Sequence, residues 1–135
     1  MPTGKPKQPD NEKITINLGY VDLGQIDLLV SEGFYANRSD FIRTAIRNQL
    51  DRQQDAVRQS IVRRQLDLGM RIITRADLEG CRSRNERLDI KVVGLATITS
   101  DVTPDLAAAT IASLEVLGAL QASSEVRAAL RDRIR

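Results

Sequence analysis

The chain has 135 residues, enough for one domain or two small ones with modest cores. It is 41% hydrophobic and 28% charged, with a net charge of +2 and a pI near 9.0. This balance excludes a disordered chain and permits a nucleic-acid partner without requiring one. There is no histidine, no tryptophan and one cysteine, Cys81. The usual imidazole base, an internal disulfide and a thiol metal cluster are therefore missing, so neither an enzyme nor a cofactor or metal is expected. Cys81 reads as a passive thiol. No apolar run approaches the ~20 residues that cross a bilayer, so the expectation is a cytoplasmic protein with no membrane partner.

In chain order, residues 1–11 read as a flexible tail, with proline, glycine and lysine but no apolar segment to make a signal peptide. Lys13 to Leu18 alternates strictly, with Ile14, Ile16 and Leu18 on one face and Lys13, Thr15 and Asn17 on the other. Period and β-branching both predict a strand, ended by Gly19. The period then changes: Leu23, Ile26, Leu29 and Val30 share one side of a helix over Asp22 to Glu32, and Gly33 terminates it. Asn37 caps a second helix, with Asp40 three residues on completing an aspartate version of the capping box. Phe41, Ile42, Ala45, Ile46 and Leu50 form its apolar stripe.

One strand and two short helices make a poor monomer. Both strand edges would stay unpaired, and ~40 residues without metals or disulfides bury too little surface. Pairing the strand with its copy in a second chain answers both problems, although another strand of the same chain could in principle supply the pairing. An obligate homodimer is expected, with Ile14, Ile16, Leu18, Ile26, Phe41, Ile42 and Ile46 in its shared core.

The strand Lys13 to Leu18, the helix Asp22 to Glu32, the turn at Gly33 and the run Asn37-Arg38-Ser39-Asp40-Phe41-Ile42-Arg43 together resemble the ribbon-helix-helix family of DNA-binding regulators, most closely its CopG/Arc/MetJ-like members. The resemblance covers residues 12–50. It implies that two paired strands enter the major groove of double-stranded DNA, with Lys13, Thr15 and Asn17 touching base edges. It also implies a phosphate anchor at the start of the second helix, where the amides of Arg38 and Ser39 and the Ser39 hydroxyl would face the backbone, while Asp40 points away. Such an anchor has its own physical logic, since free N–H groups and the helix dipole attract anions. Nickel-responsive members carry histidine-rich sensor domains, and a chain with no histidine departs from them.

Beyond residue 50 the pattern stays helical toward Leu68, either as one rod from Arg38 of ~46 Å or with a break near Gln53-Gln54. Arg52, Arg58, Arg63 and Arg64 make this stretch basic, which suits flanking phosphates and a solvated helix face alike. Thr74 caps a short helix that stops at Gly80, and residues 82–89 read as a loop. Residues 90–102 then repeat at 114–126, an offset of 24, with valine, glycine, serine and valine coinciding at 92/116, 94/118, 100/124 and 102/126. Each copy reads as a strand with a central glycine, a turn and a helix, over Pro104 to Ser113 and Ser124 to Ile134. The glycines imply a bend or close backbone packing rather than phosphate binding. Two strands are marginal alone, so this region should associate with the same surface of another subunit.

The expected fold class is α+β: a ribbon-helix-helix dimerisation and DNA-binding domain at residues 12–50, a helical extension and linker at 51–89, and a C-terminal repeat and oligomerisation domain at 90–135. The expected function is sequence-specific transcriptional regulation, as a repressor that inserts an intersubunit ribbon into the major groove. An antitoxin with a protein partner, or a DNA-associated assembly protein polymerising through residues 90–135, are the competing readings.

Overall fold

A computed structural model of the chain describes residues 11–135, so the tail expected over residues 1–11 lies outside them apart from Asn11. The described residues fold as α+β, in the order α1 (Tyr20–Ser31), α2 (Arg38–Arg52), α3 (Gln54–Arg64), β1 (Asp67–Ile73), α4 (Arg75–Ser83), β2 (Leu88–Ile98), α5 (Pro104–Thr110), β3 (Ile111–Gln121), α6 (Ser124–Ala129) and a 3-10 turn at Arg131–Arg133. They divide into two compact units, one ending at Arg58 and one running Gln59–Arg135.

In the first unit α1 packs on α2. The predicted first helix starts two residues early, at Tyr20, and Glu32 is its C-cap rather than its last turn. Its end is closed by two backbone bonds, Phe34 N–H to the Leu29 carbonyl and Gly33 N–H to that of Val30. That closure needs a left-handed residue, and Gly33 supplies it at φ +86°. Of the two alternatives for the next stretch, the break is the one observed, at Gln53 between α2 and α3.

The strand predicted at Lys13 to Leu18 does not form among the described residues: Lys13 to Leu18 are irregular and pair with none of the described strands. The reason is partnership rather than propensity. A strand exists only through cross-strand hydrogen bonds, and β1, β2 and β3 all belong to the second unit.

The second unit is built on a parallel sheet of order β1-β2-β3. Its helices α4, α5 and α6 follow the three strands in turn, and each is capped by a hydroxyl that accepts the N–H three residues on: Thr74 from Asp77, Thr103 from Leu106, Ser123 from Val126. Ile73, Ile90, Val92, Ala96, Ile98 and Leu114 from the strands close over Leu78, Leu106, Ala107, Val126 and Leu130 from the helices, forming one core on one face. Among the described residues the opposite face is left exposed, with Leu68, Met70 and Ile72 at 70, 69 and 60% and Leu117 also exposed.

Several expectations are corrected here. The strand β1 falls where a helix was expected to run on to Leu68; α3 stops at Arg64, and Gln65 turns the chain at φ +54°. The helix capped by Thr74 passes through Gly80 to Ser83, because the left-handed closing residue is Asn85, with Glu86 N–H on the Cys81 carbonyl. Residues 82–89 are accordingly not all loop: they end α4 and begin β2. Cys81 is a free thiol buried on α4. The helices begin where predicted, at Pro104 and Ser124, but stop sooner, at Thr110 and Ala129. Val92 pairs with Val116 and Gly94 with Gly118, so residues 24 apart in sequence are neighbours across the sheet.

Leu114 is fully buried in this core. Leu114→Ala should therefore lower unfolding stability by ~2–5 kcal/mol, through lost transfer energy and a residual cavity. Urea denaturation followed by circular dichroism would measure it.

Candidate nucleic-acid interface

The first unit displays apolar surface that it cannot enclose. Among its described residues Ile26 is the one buried hydrophobic side chain. Leu23, Leu29 and Val30, the companions of Ile26 on α1, are half-buried, as are Phe41 and Ile42 on α2. Ile46 and Leu50 are exposed, Ile14 and Ile16 are 79 and 59% exposed, and Leu18 is exposed beside them. The stripes foreseen from periodicity thus exist, but within one chain they meet only part of their cover. Lys13, Thr15 and Asn17, the alternate positions of the same segment, are exposed as well.

The turn into α2 is tightly specified. The Asn37 side chain accepts the Asp40 N–H at 2.8 Å, as its cap position requires. The Asp40 carboxylate reaches one residue further back than the expected capping box, accepting the Ala36 N–H at 2.9 Å. Tyr35 meets Phe41 edge to face, with ring centroids 5.0 Å apart. Arg38 and Ser39 begin α2, where a helix offers the backbone amides no acceptor of its own.

The Arg38 side chain has a different task from the Arg38 amide. Its Nε and a terminal nitrogen each donate at 2.8 Å to the two carboxylate oxygens of Asp27 on α1. Hydrogen bonding to Arg38 holds the Asp27 carboxyl below the usual aspartate range, and the same bond raises the guanidinium above its ordinary value. This forked pair joins the first turn of α2 to the preceding helix. The pairing was not seen in the sequence. The available signal was an acidic residue on the polar side of α1, and nothing in the spacing of eleven residues selects Arg38 over Arg43.

Thus Arg38 and Ser39 lie together at one helix start, and Lys13, Thr15 and Asn17 lie together in the segment before α1. Among the described residues no helix is long and apolar enough to cross a membrane, and no cluster of acidic, cysteine or histidine side chains is arranged to hold a metal.

Comparison with known families finds a match described as the Ribbon-Helix-Helix transcriptional regulator family, over residues 9–127. The match runs well past the residues 12–50 that carry the resemblance in sequence and takes in the parallel sheet. No curated protein and no solved structure matches significantly.

Because the Asp27 carboxyl is depressed in the folded chain, the pair's contribution is complete above the free aspartate value of ~3.9 and is lost as pH falls through the lower folded value. A carboxyl NMR titration should place Asp27 below ~3.9, and Arg38→Ala should return it toward that value.

Proposed function

This chain belongs to the Ribbon-Helix-Helix transcriptional regulator family, and on that premise we propose that it is a repressor whose dimer inserts an intersubunit ribbon into the major groove. The family is one of transcriptional regulators, not of enzymes, and at the coarser level it implies DNA and self-association as partners. The observation that carries the finer reading is the exposed segment Lys13 to Leu18, apolar and polar by turns, in a unit that buries only Ile26 among its described residues.

The physical sequence runs from core to contact. Two copies of the segment pair as antiparallel strands, which satisfies backbone groups that have no partner in one chain. Ile14, Ile16 and Leu18 from both copies close over Ile26, Phe41, Ile42 and Ile46. Lys13, Thr15 and Asn17 then stand on the outer face, where lysine donates to guanine, threonine meets a base edge or a thymine methyl, and asparagine forks onto adenine. The amides of Arg38 and Ser39 and the Ser39 hydroxyl receive a phosphate and set the register of the ribbon. The Asp27 fork supports this assignment by fixing the helix start, and Asp40, engaged with Ala36, leaves its charge off the phosphate.

Residues 12–50 serve as the DNA-binding domain in this reading. The second unit, with β2–α5 and β3–α6 as successive strand-turn-helix repeats, joins neighbouring dimers and makes operator occupancy cooperative. What favours this over a passive appendage is the exposed apolar face of the sheet, since parallel sheets are normally covered on both sides.

Ile16→Asp should abolish dimers by placing charge in the shared core, as read by analytical ultracentrifugation. An intact dimer would contradict the ribbon. Thr15→Ala and Asn17→Ala should each cost ~1–3 kcal/mol of discrimination between operator and random DNA in gel-shift titrations, with weak effect on non-specific binding. Equal loss on both DNAs would sink the base-contact assignment.

A further inference from the structure

Three glycines lie in register across the sheet: Gly69 on β1, Gly94 on β2 and Gly118 on β3. All three have positive φ, at 123, 139 and 120°. For two of them the reason is local. A Cβ on Gly94 would lie 2.0 Å from the Gly69 carbonyl oxygen, and a Cβ on Gly118 would lie 2.1 Å from the Gly94 carbonyl oxygen. Each glycine therefore turns its bare Cα toward the preceding strand and its carbonyl toward the following one. Gly69 has the same conformation, yet a Cβ there would meet nothing within 4 Å. Its bare Cα faces outward from the β1 edge, and the Gly118 carbonyl faces outward from the β3 edge. One edge carries the socket of a contact made twice within the chain, and the other carries the plug.

We propose that the β3 edge of one copy of this chain pairs, in parallel, with the β1 edge of a second copy, with Gly118 opposite Gly69. This deepens the assembly part of the function above and rests on the reading that the second unit joins copies. The register follows from the sheet itself. Asp67 pairs with Val92, which pairs with Val116, so one further step sets Asp67–Met70 of the second copy against Val116–Ala119 of the first. The chain covers its own β3 edge on either side of that stretch: the bridge from Ile134 and the Arg135 N–H bond fall on Leu114, and the Arg127 guanidinium donates to the Leu120 carbonyl. The first half of β1, with Gly69, thus fits the part of the edge between them. The side chains agree: the row Leu68, Val93, Leu117 would continue with Leu68 of the next copy beside Leu117. The β1 edge carries Leu68, Met70 and Ile72 exposed on its open face and no proline, and its two charged residues, Asp67 and Arg71, lie on the other face and pair with each other. Because the two edges differ, the contact is head to tail, and each added copy leaves one edge of each kind free, giving a ring or an open row.

The test uses full-length chains carrying Leu68→Cys or Leu117→Cys, each with Cys81→Ala, and a short bis-maleimide cross-linker. The two cysteines stay on separate chains because β2 lies between β1 and β3 in one chain. Pairing of the two edges predicts a cross-linked dimer in the mixture and none with either variant alone. Adding Gly69→Ala to the Leu68→Cys chain, where a Cβ would meet the incoming Gly118 carbonyl, predicts loss of the cross-link with the circular dichroism spectrum retained. Cross-linking by one variant alone would mean symmetric packing of sheet faces and would overturn the proposal, as would no cross-link in the mixture. The readout requires no DNA, and Ile16→Asp should leave it in place, so failure of the ribbon and failure of this pairing are separately visible.

Discussion

The described residues before Arg58 leave most of their own apolar side chains unenclosed, and the proposed assembly starts from that exposure. Two short helices cross, yet Ile26 is the one hydrophobic side chain they bury among the described residues. Leaving Ile14, Ile16, Phe34, Ile46 and Leu50 in water forgoes the main favourable term in folding. In the proposed dimer a second chain would remove that deficit, and the same pairing would present the alternate polar residues on a single surface. Dimerisation and DNA recognition would then be one physical event, because the segment proposed to complete the core is the one that carries Lys13, Thr15 and Asn17.

The start of α2 illustrates how local bonding prepares such a surface. Asn37 and Asp40 occupy one another's neighbourhood through backbone N–H groups, and the Arg38 fork onto Asp27 ties α2 to α1. The pair is exposed, so its value is geometric more than energetic. It ties the first turn of α2, which begins at Arg38 and Ser39, to α1.

The second unit solves the burial problem differently. Its three strands and three helices build a single-sided core that is closed within one chain, with Leu78, Ile90, Leu114 and Leu130 inaccessible to water. Among the described residues it leaves open the far face, the β1 edge and the middle of the β3 edge. The glycine row accounts for how tightly the strands approach.

The elements with local causes were readable from the residues alone. The helix around Ile26, the Gly33 turn, the Asn37, Thr74 and Pro104 starts and the close approach at Gly94 and Gly118 each follow from a few neighbouring side chains or a backbone preference. Ribbon-helix-helix membership was legible for the same reason, since its markers sit within about forty residues. What tertiary structure decided was pairing at a distance. Asp67 to Ile73 became a strand because β2, some twenty-five residues on, offers it a parallel partner, whereas its own residues are compatible with a helix. The choice of Asp27 for Arg38 and the outward turn of Gly69 have the same origin: each depends on which distant group the folded chain brings within reach, or fails to bring, and no local pattern encodes that.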